Sequence, residues 1–240
     1  MHRRDFLLGS AGVLCAAPLR AARITAPAAP PANASSGHPE LGIMTAARMR
    51  PPYTFAFPQR PSDLPPTTSW LDGFRPAGRE QVVAFRAAFA AWAAASGGTL
   101  AFVELPPERA ARAAVRAAET TDSMGLHADG ITPFFGITLA GRVILCQAAL
   151  ASRGYAPGQR GFLVALHEIG HALGFKHAHI APVRVPPRLD AWTNTVMSYR
   201  TIPYGVTTGW PDGLPDGSYP GALGYIDVAA VRAAYPAPVT

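Results

Sequence analysis

Residues 167–177 read HEIGHALGFKH, which places three histidines, a glutamate and two glycines in eleven positions. Residues four apart share a helix face, so His167 and His171 present their imidazoles to one point, as two ligands of a tetrahedral metal must. Glu168, one residue on, can reach a water at that point without ligating the ion. Gly174 can adopt the positive φ that ends a helix, and the turn there lets His177 swing back as the third ligand. Three nitrogens leave a fourth position open, the arrangement of a catalytic zinc site and not of a closed structural one. The form HExxHxxGxxH fixes five positions, and its accidental occurrence at this composition is on the order of one in 10⁵.

Rival third ligands are few. No glutamate follows Glu168, which removes a site completed by a downstream glutamate. Asp190 could complete a two-histidine, one-aspartate site, but His177 and Gly174 would then be unexplained, so it reads as a loop-capping residue. His179 lies two residues past the expected position and reads as a neighbour of the ligands or as exposed.

Downstream, 195–199 read TVMSY. HEIGHALGFKH followed by VMSY resembles the metzincin metallopeptidases, in which a methionine in a tight turn forms an apolar floor beneath the zinc; Met197 matches that methionine. The tyrosine two places later is similar to the serralysin and astacin pattern, which implies that Tyr199 approaches the zinc and swings away to hydrogen-bond the reaction intermediate. The stretch 223–231 is similar to the last helix of serralysin and matrixin catalytic domains. The resemblance spans about residues 51–236 and is tight only at 167–177 and 195–199. It implies an α+β metzincin-type zinc peptidase fold. Such a fold has a twisted mixed sheet with two long helices in an N-terminal lobe, and a small irregular C-terminal lobe with a Met-turn and a closing helix.

The chain also departs from those families. Ala178 stands where serralysins usually carry proline and matrixins serine or threonine. No glycine- and aspartate-rich calcium repeat follows the motif, so no sequence motif supports Ca²⁺, and no cysteine in the preceding segment could occupy the zinc.

Outward from the motif, alternation predicts a strand over 53–57. Val82, Val83, Phe85, Phe89 and Trp92 recur at helical spacing from about Gly78, and Ser96-Gly97-Gly98 closes that helix. Strands are expected over 99–105, 136–139 and 142–145, and a helix over 162–175 that stops at Gly174. Residues 108–120 are helical by propensity. A long Pro-, Gly- and Tyr-rich stretch precedes a closing helix over 226–234.

Residues 1–23 carry Arg3-Arg4, then an apolar run of about 12 residues with small residues beyond it, the layout of a twin-arginine-type export signal. A bilayer span needs about 20 apolar residues, so no stable membrane span is expected. Residues 24–50, rich in Ala, Pro and Ser, read as a linker or short pro-segment. Residues 51–240 then form the catalytic domain, with an N-terminal lobe to about 174 and a C-terminal lobe over 175–240.

The 240 residues are 49% hydrophobic, enough for one core. Beyond residue 23 there remain 17 basic against 14 acidic residues, a surplus of three that points neither to nucleic acid nor to a membrane surface. If the signal is removed with Cys15, Cys146 stands alone in an apolar run and reads as a buried strand cysteine.

The function expected from these residues and the resemblance is an exported, monomeric zinc endopeptidase acting on peptide or protein substrates. A zinc-bound water would attack the peptide bond, with Glu168 as general base and proton carrier and Tyr199 stabilising the oxyanion. An extended substrate would pair with an exposed strand, for which 136–139 is the candidate, and its next side chain would enter a pocket near 200–204. Two readings compete: a catalytically weak or inactive zinc-binding module on the same scaffold, and a hydrolase of a non-protein amide such as a cell-wall peptide.

Overall fold

A computed structural model describes residues 37–66, 73–121, 136–139, 142–147, 153–205 and 214–237. The expected export signal and the first part of the 24–50 segment lie outside the described residues, as do Ala140 and Gly141 between the two paired strands.

The sheet is mixed. Strand β1 (Thr54–Ala56) lies in parallel between β3 (Val103–Glu104) and β4 (Val115–Thr120), and β4 pairs in parallel with β6 (Val143–Gln147). Strand β5 (Gly136–Leu139) closes the order β3-β1-β4-β6-β5 as an antiparallel edge, and the short β2 (Phe74–Arg75) pairs antiparallel with β4. The expected strand over 99–105 contracts to two residues.

Strand β4 corrects a sequence expectation. Residues 108–120 divide into a 3-10 turn, Pro107–Arg112, and a central strand. Alanine and arginine favour helix by less than about 1 kcal/mol per residue, and ladders on both sides with both faces covered outweigh that preference. Because both faces are covered, β4 lacks the alternation that would mark it as a strand. Val115 and Ala117 join the main core on one face, while Ala118 packs with Val143 and Leu145 on the other.

Two helices pack together over the sheet. Helix α1 (Arg79–Ala95) buries Gln81, Ala84, Phe85, Ala88, Phe89, Ala91 and Trp92, a three-and-four spacing that defines one face. That face differs from the expected one at its start, because Val83 is 46% exposed and Gln81 is buried in its stead. Helix α2 (Arg160–Ala172) is buried on nearly every side, as a helix sandwiched between sheet and C-terminal lobe must be. The Trp92 indole N–H donates to the Leu166 carbonyl at 3.0 Å, joining the two helices. Removing that fully buried ring would cost about 3–5 kcal/mol. Helix α3 (Tyr225–Ala234) closes the fold.

The second half of the segment read as a linker or pro-segment is packed onto the domain. Residues 37–50 form a strap in which Ile43 is fully buried, and Met44 bridges Phe175. Lys176 donates its backbone N–H to the Ile43 carbonyl and its ammonium to the Gly42 carbonyl, both at 2.8 Å. The Tyr235 hydroxyl accepts from Met49 N–H and donates to the Leu173 carbonyl. Composition hides this anchoring, because backbone groups make most of it. Among the described residues no helix is long and apolar enough to cross a membrane.

Candidate metal centre

Helix α2 ends as the motif requires. Gly174 takes φ +91°, its N–H bonds the His171 carbonyl, and the Phe175 N–H reaches back to the Gly170 carbonyl, both at 2.9 Å. These two bonds form a Schellman turn. A Cβ at Gly174 would also collide with the Ala47 carbonyl of the strap, so glycine is required there for two independent reasons.

The turn supplies a ligand's support as well as the change of direction. His171 donates Nδ1–H to the Phe175 carbonyl at 2.8 Å, and His167 donates Nδ1–H to the Val196 carbonyl at 2.7 Å. Each bond sets the tautomer and aims Nε2 inward, the support that metal-ligating histidines receive. His177 arrives from beyond the turn and brings its Nε2 within 2.9 Å of that of His171. One ring nitrogen from each of His167, His171 and His177 lies within 4.8 Å of the other two, and this group could hold a metal ion.

The donor set suits a divalent cation. Burial and the neighbouring imidazoles hold His167 well below its ordinary value and take His177 down to about 3, while burial lowers His171. All three are therefore neutral near pH 7, the form that ligates a metal. Asp190 takes no part: its Oδ1 accepts from the Ser198 hydroxyl at 2.6 Å, and Oδ2 pairs with Arg200 at 3.5 Å. His179 stacks on His177 with centroids 5.6 Å apart and is outside the group of three.

Glu168 is buried, and burial raises its carboxyl to about 7 against the pull of one hydroxyl. That hydroxyl is Thr138 Oγ1 on β5, 2.7 Å from Oε2 and 2.9 Å from the Glu168 carbonyl. Tyr199 lies over the triad, its ring 4.3 Å from His177 and 5.7 Å from His167. Burial, with the Glu168 charge nearby, pushes its phenol up, so the O–H stays protonated.

Met197 is fully buried against α2, where a Cβ on Gly170 would stand 2.6 Å from its Sδ. The turn that carries Met197 is pinned from α3. Asp227 accepts the Thr195 hydroxyl at 2.5 Å, the Val196 N–H at 2.9 Å and the Gly224 N–H at 2.8 Å. Ala178 N–H bonds the Met197 carbonyl at 3.0 Å, which draws His177 to the same turn. Asp227 thereby positions two of the three histidines through the backbone of 195–197.

All the sequence-predicted site residues converge here: His167, Glu168, His171, Gly174, His177, Met197 and Tyr199. Sequence reasoning missed Gly170, Thr138 and Asp227. A glycine inside a helix costs about 1 kcal/mol, which for Gly170 was a readable hint of a close packing partner. Thr138 and Asp227 gave no such signal. Cys146 is a fully buried strand cysteine in β6, as expected, and burial pushes its thiol up. Strand β5 occupies the sheet edge, where a substrate strand was expected to pair. Near the expected specificity pocket, Ile202 and Tyr204 are 64% and 73% exposed, and 206–213 lie outside the described residues.

No protein-family model matches the chain, and a search of curated proteins likewise finds no match.

Proposed function

We propose that this chain is an exported zinc-dependent endopeptidase of the metzincin type. One observation carries the reading: three neutral imidazoles converge on one point with a buried carboxyl at about 7 next to the first of them. Met197 packed against Gly170 of the histidine helix, the glycine turn before His177, the antiparallel edge strand and the closing helix all support the metzincin assignment.

His167, His171 and His177 would hold the ion, which when bound polarises the scissile carbonyl and acidifies water. Thr138 occupies Oε2 of Glu168 and leaves Oε1 to take a proton from the attacking water. A carboxyl raised to about 7 both accepts that proton and releases it near neutrality. The water oxygen bonds to the carbonyl carbon, Glu168 passes the proton to the departing nitrogen, and the C–N bond breaks. Tyr199, kept protonated by burial, donates to the developing oxyanion.

The test is metal analysis with a peptide-library cleavage assay on the wild type and on Glu168→Ala. One zinc per chain, internal peptide cleavage, and a loss of about 10²-fold or more in a variant that retains its metal are expected. Full activity in metal-loaded Glu168→Ala would refute the mechanism. Absence of zinc, or bound zinc without cleavage of any peptide, would refute the peptidase reading.

A further inference from the structure

A cleft of about 750 Å³ opens against the C-terminal end of α2. His171, Ala172, Gly174 and Phe175 form one wall, the strap around 45–52 a second, and the chain leading into β4 and β6 the rest. Among the described residues five arginines line it, Arg48, Arg50, Arg112, Arg116 and Arg142, and no aspartate or glutamate does. Outside the first 23 residues the chain has a surplus of only three basic residues, so five in one cleft is a concentration of charge and not an average surface.

Among the described residues none of these five side chains makes an ion pair. Arg48 donates to the carbonyls of Thr45 and Ala47, and Arg116 to those of Ala110 and Ala111, all neutral acceptors. Arg50, Arg112 and Arg142 stand exposed. Arg116 on β4 and Arg142, just before β6, are neighbours, the Arg116 N–H bonding the Arg142 carbonyl at 2.8 Å, and burial, then the charge of Arg142, lower the pKa of Arg116. The Asp63 carboxylate also acts on Arg116, but it is paired with Arg60 at 3.3 Å and does not line the cleft. Like charges gathered in a concavity with low-dielectric walls focus a field that draws in anions. Arginine adds a planar donor fork that matches a carboxylate bidentately.

The position of the cleft gives the charge a use. His171 belongs both to its wall and to the triad, so the arginines share a cleft with a residue of the metal centre. We propose that the cleft selects acidic peptide substrates, binding carboxylate side chains on the segment next to the scissile bond. This rests on the peptidase reading for the identity of the occupant. A peptide is favoured over a nucleic acid because, among the described residues, the only aromatic rings lining the cleft are His171 and the buried Phe175, which offer no platform for stacking bases.

The experiment pairs binding with cleavage, using full-length protein and two labelled peptides that differ only in Glu against Gln on one side of a cleavable bond. Fluorescence anisotropy at low salt is expected to give at least about tenfold tighter binding of the Glu peptide, fading as salt screens it. Arg116→Gln and, separately, the exposed Arg142→Gln should shrink that ratio toward one while leaving the Gln peptide unaffected. Arg79→Gln, which removes the same charge from an exposed site outside the cleft, should not change it.

Cleavage should show the same ratio in kcat/KM. Equal binding of the two peptides, an equal effect of Arg79→Gln, or tighter binding of a single-stranded oligonucleotide of matched charge would overturn the proposal. Selective binding of the Glu peptide without any cleavage would instead sink the peptidase reading and leave the anion-binding cleft standing. Cleavage without preference would do the reverse.

Discussion

Gly170 and Met197 meet so closely that a single methyl on the glycine would stand 2.6 Å from the methionine sulfur and 3.2 Å from the Trp92 ring. The helix that carries two of the histidines thus rests on the turn beneath it with no space between them. Gly170→Ala would improve helix propensity by about 1 kcal/mol in an exposed helix. Here overpacking outweighs that gain, and a net destabilisation of about 1–3 kcal/mol is expected. Urea unfolding of the metal-free protein measures it, and an unchanged or raised midpoint would show that Met197 can move aside.

Thr138 reaches Glu168 from the edge strand. A hydrogen bond to a charged group contributes about 1.5–3 kcal/mol, so Thr138→Val is expected to lower kcat/KM by about 10- to 100-fold at unchanged metal content. Peptide hydrolysis beside metal analysis would check this. Retained activity would show that Glu168 is oriented by its backbone alone.

Asp227 ties α3 to the turn at 195–197, and burial raises its carboxyl to about 7. A carboxyl raised on folding favours the folded chain while protonated. Its contribution is therefore full below its unfolded value of about 4 and is lost as pH rises through 7. Asp227→Asn cannot titrate, so the wild type should lose midpoint temperature relative to it between pH 5 and 7.5. Differential scanning fluorimetry on both proteins reads the gap, in which the opposing titration of the buried histidines cancels. Asp227→Ala, by contrast, strands two backbone N–H groups and a hydroxyl, and should cost about 3 kcal/mol or more at any pH.

Three convergent imidazoles preformed by the fold predict stabilisation by metal. Zinc at about a hundred times its Kd should raise stability by about 2.7 kcal/mol, and a chelator should reverse this. In His177→Ala the gain should shrink to a small fraction, because only the two helix histidines remain. A metal-independent midpoint in the wild type would count against the centre.

Tyr199 is held between two pinned neighbours. The Ser198 carbonyl accepts the Trp192 indole N–H at 3.1 Å, and the Arg200 carbonyl accepts the Trp192 backbone N–H at 2.9 Å, so the phenol is aimed by backbone on both sides. Tyr199→Phe keeps the ring and loses the donor. A fall of about 10²-fold in kcat with little change in KM is expected, the pattern of an interaction made only in the transition state. An equal rise in KM would assign Tyr199 to substrate binding.

The sequence by itself determined the parts of the molecule whose physics is local. Helical periodicity put His167 and His171 on one face, the glycine at 174 marked the turn, and apolar spacing located α1 and the closing helix. In each case the residues that define the feature lie within a few positions of one another. Where partners are distant in the chain, the sequence was silent or misleading. Strand β4 carries helix-forming residues and becomes a strand only because β1 and β6 flank it. The strap at 37–50 looks like a linker because its anchors, Lys176 and Tyr235, lie far along the chain and bond mostly its backbone. Thr138, Asp227 and the arginines of the cleft are ordinary residues at ordinary spacings. Only the tertiary structure decided that Thr138 serves Glu168, that Asp227 supports two histidines through one turn, and that five arginines line one cleft with His171, the second histidine of the motif. The reason is physical: hydrogen bonds and electrostatic fields act through space, and chain order alone does not specify which distant groups the packing brings together.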